Sequence, residues 1–486
     1  MHEVITFSNS QSSGHLLAQL YNVQASHLVY SNGRKTVHSN NVFLSPTSVN
    51  GRTKYYPRAI NVEFSGGYGF LGKHEYHEKK ADAVQLAEAY GAVLQRAPKP
   101  EKNEYQKCLD ACHKPERSML TKENTLCWTS YSKLVYRPSS LAELPDFQSP
   151  EGTHKNFARL RFDEFQIGEN EYQKVQKDIG DVLRANLEAL DNIQGVNFVS
   201  ELDNAWGGFT SELMTDVKDE YFNNGANNKH CLWAYGLYSP RATKNLLTEI
   251  RSFVELARTA TLFLPLVVPE TCSLLSVSYD HTSPWHRGAL QSVLVNSLWG
   301  LNSQLELPVR MAAIEAELVK GFDCRTIVNE IELLQEKKPE KNDFFGLVQD
   351  VNILDFYQTG PKSSKIPASE KAQLGVNQSC SAKQLSSVVI GPQGTENCTF
   401  TNNYMQEAAE QDSFPEIFVQ AANFGASLKQ TTAMRQKLKD YRKVISRVRL
   451  PRQMEVIRDK DELIEEISML IEEYTVGYSD ESDLDE

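Results

Sequence analysis

No stretch of this 486-residue chain is apolar for long enough to cross a bilayer. A membrane helix needs roughly 20 consecutive apolar residues, and the most apolar run, Thr261 to Pro269, falls far short. Positive charge is also scarce: 51 Lys and Arg stand against 63 Asp and Glu, a formal net charge of −12. General nucleic-acid binding needs a basic surface that releases phosphate counterions, so direct nucleic-acid contact is not expected. The opening MHEVITFSNS has neither the apolar core of a secretory signal nor the Arg-rich pattern of a transit peptide. Cysteine is sparse and scattered, at 108, 112, 127, 231, 272, 324, 380 and 398. Only Cys108 and Cys112, with His113, lie close together, and no further pair at zinc-binding spacing follows them. No metal site is expected. Scattered thiols fit a reducing compartment.

What is present is the composition of a soluble globular protein, 40% hydrophobic and 23% charged, with a length that predicts two or three domains. Val4, Ile5 and Phe7 predict a strand, Ser8 to Gly14 a polar loop, and Leu16, Leu17, Leu20 and Tyr21 a helical stripe. Lys54 to Phe64 reads as one strand that carries Glu63 and ends in Ser65-Gly66-Gly67. Residues 73 to 126 read as a charged surface insertion, with a helix near Lys79–Leu94. Tyr172 to Leu190 is an amphipathic helix. It leads into the strand Val196–Val199, the turn Trp206-Gly207-Gly208, and a stripe of Phe209, Leu213, Met214, Val217 and Tyr221. Leu232 to Leu237 is the next strand.

This alternation of strands and helices predicts a parallel, helix-covered sheet over residues 1 to 240. Ligands of such sheets bind at the carboxyl ends of the strands. The loops after Phe7, Phe64 and Val199 all fall on that edge. A strand, a small-residue turn and a helix can aim backbone N–H groups at a phosphate. The same pattern also serves as a plain tight turn.

Residues 241 to 360 predict a central helix and a second α/β domain, with helices over Leu246–Ala260, Ala289–Leu298 and Cys324–Leu334. His281 and His286 are close enough in sequence to pair, but no carboxylate or Cys completes a site with them. Residues 361 to 413, rich in Ser, Lys, Gln, Asn and Gly, read as a flexible insertion or linker. Residues 414 to 478 are helical. Met434, Leu438, Tyr441, Ile445 and Val448 form one stripe; Leu463, Ile464, Ile467, Leu470 and Ile471 form another. The basic first helix suits packing on the sheet domain, docking of acidic partners, or peripheral membrane contact. The acidic end, 479 to 486, is expected to be disordered, with Ser479 and Ser482 as acceptors for an acidophilic kinase.

Several segments resemble tubulin. MHEVITFSNSQSSGHLLAQLYN is similar to its first strand, phosphate loop and helix; KYYPRAINVE to its third strand; and GGFTSELMTDVKDEY to the end of its glycine-rich loop and the following helix. The resemblance to the Misato family of tubulin-related proteins runs along the whole chain. It is carried by LCWTSYSKLVYRPSSL, DNIQGVNFVSELDNAWGGF, the pairing of FLPLVVP with SYDHTSPWHRGAL, and FGASLKQTTAMRQKL. It implies an α/β, tubulin-like fold: a parallel Rossmann-type N-terminal sheet, a second α/β domain and C-terminal helices. It also implies a role in the partitioning of mitochondria and the inheritance of mitochondrial DNA, on the mitochondrial outer surface and in the cytoplasm. Protein partners of cytoskeletal or chaperone type follow from the same likeness.

Through tubulin, the resemblance makes GTP a candidate ligand, held by Gln11, Ser12, Gly14, Glu63, Gly207, Gly208 and Thr210. The chain departs from tubulin where the chemistry lies. Asn204-Ala205-Trp206-Gly207-Gly208 has two glycines and an indole where tubulin has a dense glycine loop. Ser10, Ser12 and Ser13 surround Gln11 in place of a Gly-Gln-Cys-Gly pattern, Ser65 stands where a metal-assisting Glu is found, and Glu270 lacks the context of the tubulin catalytic acid. No catalytic residue is assigned. The leading expectation is a non-enzymatic protein acting through protein contacts. The alternatives are a GTP-binding, filament-forming switch and a factor assisting tubulin or actin folding.

Overall fold

A computed structural model describes residues 2–28, 36–49, 51–71, 101–149, 161–222, 230–239, 245–322, 324–336, 351–359, 382–394, 397–419, 423–449 and 459–476. The chain opens with β1 (Glu3–Asn9), helix α1 (Gln11–Ser26) and an antiparallel hairpin of β2 (Leu44–Val49) and β3 (Arg52–Pro57). There follow β4 (Ala59–Ser65), α2 (Glu104–Asp110), β5 (Leu141–Gln148), α3 (Phe165–Glu188), β6 (Ile193–Glu201), α4 (Ala205–Val217), β7 (Cys231–Leu237), α5 (Leu246–Thr259) and β8 (Leu262–Leu266). The central helix α6 (Pro284–Ser303) and α7 (Met311–Val319) lead to β9 (Glu330–Glu336), β10 (Val351–Gln358), β11 (Gln384–Gly391), β12 (Phe400–Thr401), the single turn α8 (Glu407–Glu410) and β13 (Phe424–Thr431). Helices α9 (Met434–Ser446) and α10 (Lys460–Glu473) come last.

The first sheet has the order β5-β4-β1-β6-β7-β8, with every neighbouring pair parallel. The chain builds outward from β1 in one direction, then from β6 in the other. The gap between those two strands is therefore a topological switch point, where a doubly wound sheet opens a crevice at its carboxyl edge. β1 and β7 are buried along their whole length, as strands covered on both faces must be. Right-handed crossovers in opposite directions put α1 on one face and α4 and α5 on the other. α1 packs against the central helix α6, while α3, α4 and α5 pack in series.

The second sheet is mixed, in the order β10-β9-β13-β11-β12, antiparallel except for β11 with β12. The two C-terminal stripes are buried as their spacing requires: Met434, Leu438 and Ile445 on α9, Leu463 and Ile467 on α10. Lys437 of α9 lies over the rings of Tyr357, Phe253 and Tyr441. The basic helix thus packs on β10 and α5.

Five sequence expectations are corrected. Residues 414 to 478 are not helical throughout, because Phe424–Thr431 forms β13 between β9 and β11. The strand read as Lys54 to Phe64 is two strands: β3 pairs in the hairpin, Arg58 breaks the run, and β4 joins the main sheet. Cys324–Leu334 is not a helix. Ile331, Leu333 and Gln335 are buried while Glu330, Glu332 and Leu334 are half-exposed, a period of two set by pairing on both sides of β9. The stretch read as a linker supplies β11, whose Val388 and Ile390 are core residues. Helix α4 begins at Ala205, so Gly207 and Gly208 lie inside it and not in a turn before it. The helix expected near Lys79–Leu94 and the acidic end lie outside the described residues.

A polar seam joins the start of the chain to its last third. Ser413 is fully buried; its carbonyl accepts from Gln19 Nε2 and Trp285 Nε1, and its hydroxyl accepts from Asn22 Nδ2 at 2.9 Å.

Candidate functional site

The crevice edge is built from the ends of β1, β4 and β6 and the starts of α1 and α4. Ser10 caps α1: its Oγ accepts from the Ser13 amide at 3.2 Å. Its φ of 136° lies in a region that favours glycine. The Ser13 hydroxyl donates to the Ser10 carbonyl at 2.7 Å and accepts from Ser8 Oγ. The loop hydroxyls are thus engaged with one another. Gln11 turns its Nε2 to the Leu126 carbonyl at 2.9 Å, and Ser12 is half-buried in the first turn of α1.

Gly14 is covered by Trp128. A Cβ on Gly14 would stand 2.3 Å from the indole Cδ1. The indole is fully buried, and its Nε1 donates to Glu63 Oε1 at 3.2 Å. Burial, more than any other influence, pushes the Glu63 carboxyl well above its usual range, against the hydrogen bond from Trp128. Glu63 is therefore the buried partner of an indole, beneath the loop it was expected to assist.

Thr210 belongs to a different group. It accepts from Asn9 Nδ2 at 2.9 Å and donates to Ser200 Oγ at 2.7 Å, tying α4 to the ends of β1 and β6. Gly207 and Gly208 face other elements. A Cβ on Gly207 would meet Ser252 Oγ of α5 at 2.0 Å, and one on Gly208 the Phe165 carbonyl of α3 at 2.1 Å. Both let helices approach closely. Trp206 fills the remaining space, its ring 4.9 Å from those of Phe64 and Phe162. The first amide donors of α4 are partly taken by Asn204, whose Oδ1 accepts from Trp206 N at 3.0 Å.

The sequence-nominated residues thus share one edge, but the structure divides them. Gly14 and Glu63 meet Trp128, Gln11 bonds to Leu126, Thr210 joins the strand ends, and Gly207 and Gly208 sit in helix interfaces. Sequence reasoning missed Trp128, His15, Tyr131 and Arg287. The segment containing Trp128 and Tyr131 was visible as a family-like motif, but nothing local indicated that it would fold back onto the loop.

His15 Nε2 meets the Leu126 carbonyl at 3.2 Å, which can only accept, so Nε2 carries the proton and Nδ1 accepts from Tyr131 OH at 2.7 Å. Burial first, then the charge of Arg287, lowers its pKa to about 3. Arg287 on α6 is buried and donates to the Tyr238 carbonyl. His286 Nδ1 accepts from the Asp280 amide at 3.1 Å, and Glu270 is exposed.

A phosphate cradle needs free backbone donors and room for the anion. Here the hydroxyls of Ser8, Ser10 and Ser13 bond to one another, an indole covers Gly14, and Trp206 occupies the start of α4. These residues do not fit a triphosphate held as in tubulin.

Comparison with known proteins places two family models on the chain. A Misato Segment II tubulin-like domain matches residues 2–111, and a tubulin domain matches residues 117–305. Protein DML1 of Debaryomyces hansenii is 38% identical, over 99% of both chains. Protein DML1 of Scheffersomyces stipitis is 33% identical over 98% of both, and that of Candida albicans 29% identical over 99% of this chain and 100% of its own.

Proposed function

Because this chain belongs to the Misato family of tubulin-like proteins, we propose that it acts without enzymatic turnover in the partitioning of mitochondria and the inheritance of mitochondrial DNA, through contacts with other proteins. One observation carries the non-enzymatic part: Trp128 and Trp206 close the edge where a tubulin-like sheet would hold phosphate. The mitochondrial part rests on the family likeness. Under this reading the partners are cytoskeletal or chaperone-type proteins, and the protein works at the mitochondrial outer surface and in the cytoplasm. Among the described residues no helix is long and apolar enough to cross a membrane.

Mass spectrometry of the small molecules released from freshly purified protein tests the first part. The expected result is no guanine nucleotide and no thermal shift at millimolar GTP. Stoichiometric GTP or GDP overturns it. For the second part, depletion is expected to disturb mitochondrial distribution and lower mitochondrial DNA content; unchanged values of both sink it. Protease treatment of intact mitochondria checks the location, and full protection of the chain from digestion contradicts an outer-surface position.

A further inference from the structure

Away from the crevice, three residues from distant parts of the chain meet where α1 ends. His27 is the C-cap of α1, His38 precedes β2, and Glu407 opens α8. His27 Nε2 lies 2.6 Å and His38 Nε2 3.7 Å from the same carboxylate oxygen, Glu407 Oε2. The two imidazoles stack with centroids 3.9 Å apart. His38 is almost wholly buried, and its Nε2 has no hydrogen-bond partner.

The other nitrogen of His38 decides what Nε2 can do. Nδ1 sits 3.1 Å from Ser303 Oγ, and the Ser303 hydroxyl donates to the Gly300 carbonyl. The serine oxygen is therefore the acceptor, Nδ1 carries the proton, and Nε2 presents a bare lone pair toward Glu407. Fixing a tautomer through the far nitrogen is how outer-shell groups orient metal-binding histidines.

We propose that His27, His38 and Glu407 form a binding site for a divalent transition metal, zinc in the first instance, with three protein ligands and a fourth position open to water. Bonds of about 2.0–2.1 Å in a tetrahedral site set neighbouring ligand atoms about 3.3 Å apart. The two distances on the page, 2.6 and 3.7 Å, bracket that value. A metal would replace the proton between His27 and Glu407, widening the shorter gap and closing the longer one. Binding would require the rings, now 8° from parallel, to tilt apart until both lone pairs converge on the ion. Two imidazoles and a carboxylate suit zinc and its neighbours over magnesium or calcium, which prefer all-oxygen sites. Among the described residues these three form the group with ligand atoms close enough for a shared ion. The spacing of 27, 38 and 407 hides the site from sequence reading, which looked for metal around Cys108 and Cys112 and at His281 and His286.

The test uses the full chain, stripped with a chelator, dialysed against micromolar zinc chloride and measured by elemental mass spectrometry. The expected result is one zinc per chain and a rise in Tm on zinc addition. Both are lost in Glu407→Gln and in His38→Gln but kept in Cys108→Ser/Cys112→Ser. Cobalt(II) in the wild-type chain keeps the proposal testable even if those variants fold poorly. It should give the visible absorption of a four-coordinate nitrogen–oxygen site without a thiolate charge-transfer band. A wild-type chain that holds no metal, zinc that persists in Glu407→Gln, or a thiolate band overturns the assignment.

Discussion

The indole of Trp128 occupies the space that a side chain on Gly14 would need, with Cδ1 only 2.3 Å from the missing Cβ. Overpacking a rigid buried indole costs about 1–3 kcal/mol, and deleting it about 3–5 kcal/mol. Gly14→Ala and Trp128→Ala are each expected to lower the urea midpoint. The double variant should lose less than the sum, because removing the indole removes the clash. Strict additivity would mean that the two do not meet.

The glycines of α4 give a second cycle. Gly207→Ala brings a methyl group against Ser252, whose Cβ would stand 2.5 Å away. Ser252→Gly frees that space, so Gly207→Ala/Ser252→Gly should recover part of the stability lost by Gly207→Ala alone. Gly208→Ala has no such remedy, since it meets the backbone carbonyl of Phe165. Thermal melts of the four variants decide it.

Ser10 combines a cap with an unfavourable backbone. Relief of a strained φ of 136° is worth on the order of 1–3 kcal/mol, whereas exchanging a serine cap for glycine loses only about a few tenths. Ser10→Gly is therefore expected to raise Tm. Ser10→Ala keeps the strain and loses the cap, so it should lower Tm. Shifts of the same sign in both would contradict the argument.

His15 makes stability depend on pH. Its folded pKa is about 3, against 6.5 for a free histidine. Between those values the unfolded chain binds the proton and the folded one does not, so stability falls as pH drops from 6.5 toward 3. At pH 5 this group alone accounts for a loss on the order of 2 kcal/mol. His286, lowered to about 4 chiefly by burial, tilts the same way. His15→Gln should flatten the fall in denaturation midpoint between pH 7 and pH 5 without abolishing it. An unchanged slope would show that His15 takes up its proton in the folded state.

The sheet domain was legible because β1, β6 and β7 carry runs of apolar residues and α1 and α4 carry clear stripes. β5 was not, because its pattern is broken by Pro145 and by acids at Glu143 and Asp146. β9 was misread because Ile327, Ile331 and Leu334 also fit a helical spacing; only its partners on both sides settle the period. At the crevice, loop positions follow from strand order, so Gln11, Gly14, Glu63 and Thr210 fall on one edge as expected. What fills the edge is a tertiary event. Trp128 comes from another loop, and no local spacing ties it to Gly14 or Glu63.

The buried seam at Ser413 bears on how the chain is made. Asn22 finds its hydroxyl partner 391 residues later, and synthesis at about 5–20 residues per second takes roughly 20 to 80 s to cover that distance. For that interval the side-chain amides of Gln19 and Asn22, on the first helix to leave the ribosome, lack the partner that the finished fold supplies. Until Ser413 is made, Asn22 can lean on the Tyr131 carbonyl, but the Gln19 amide must be satisfied by water.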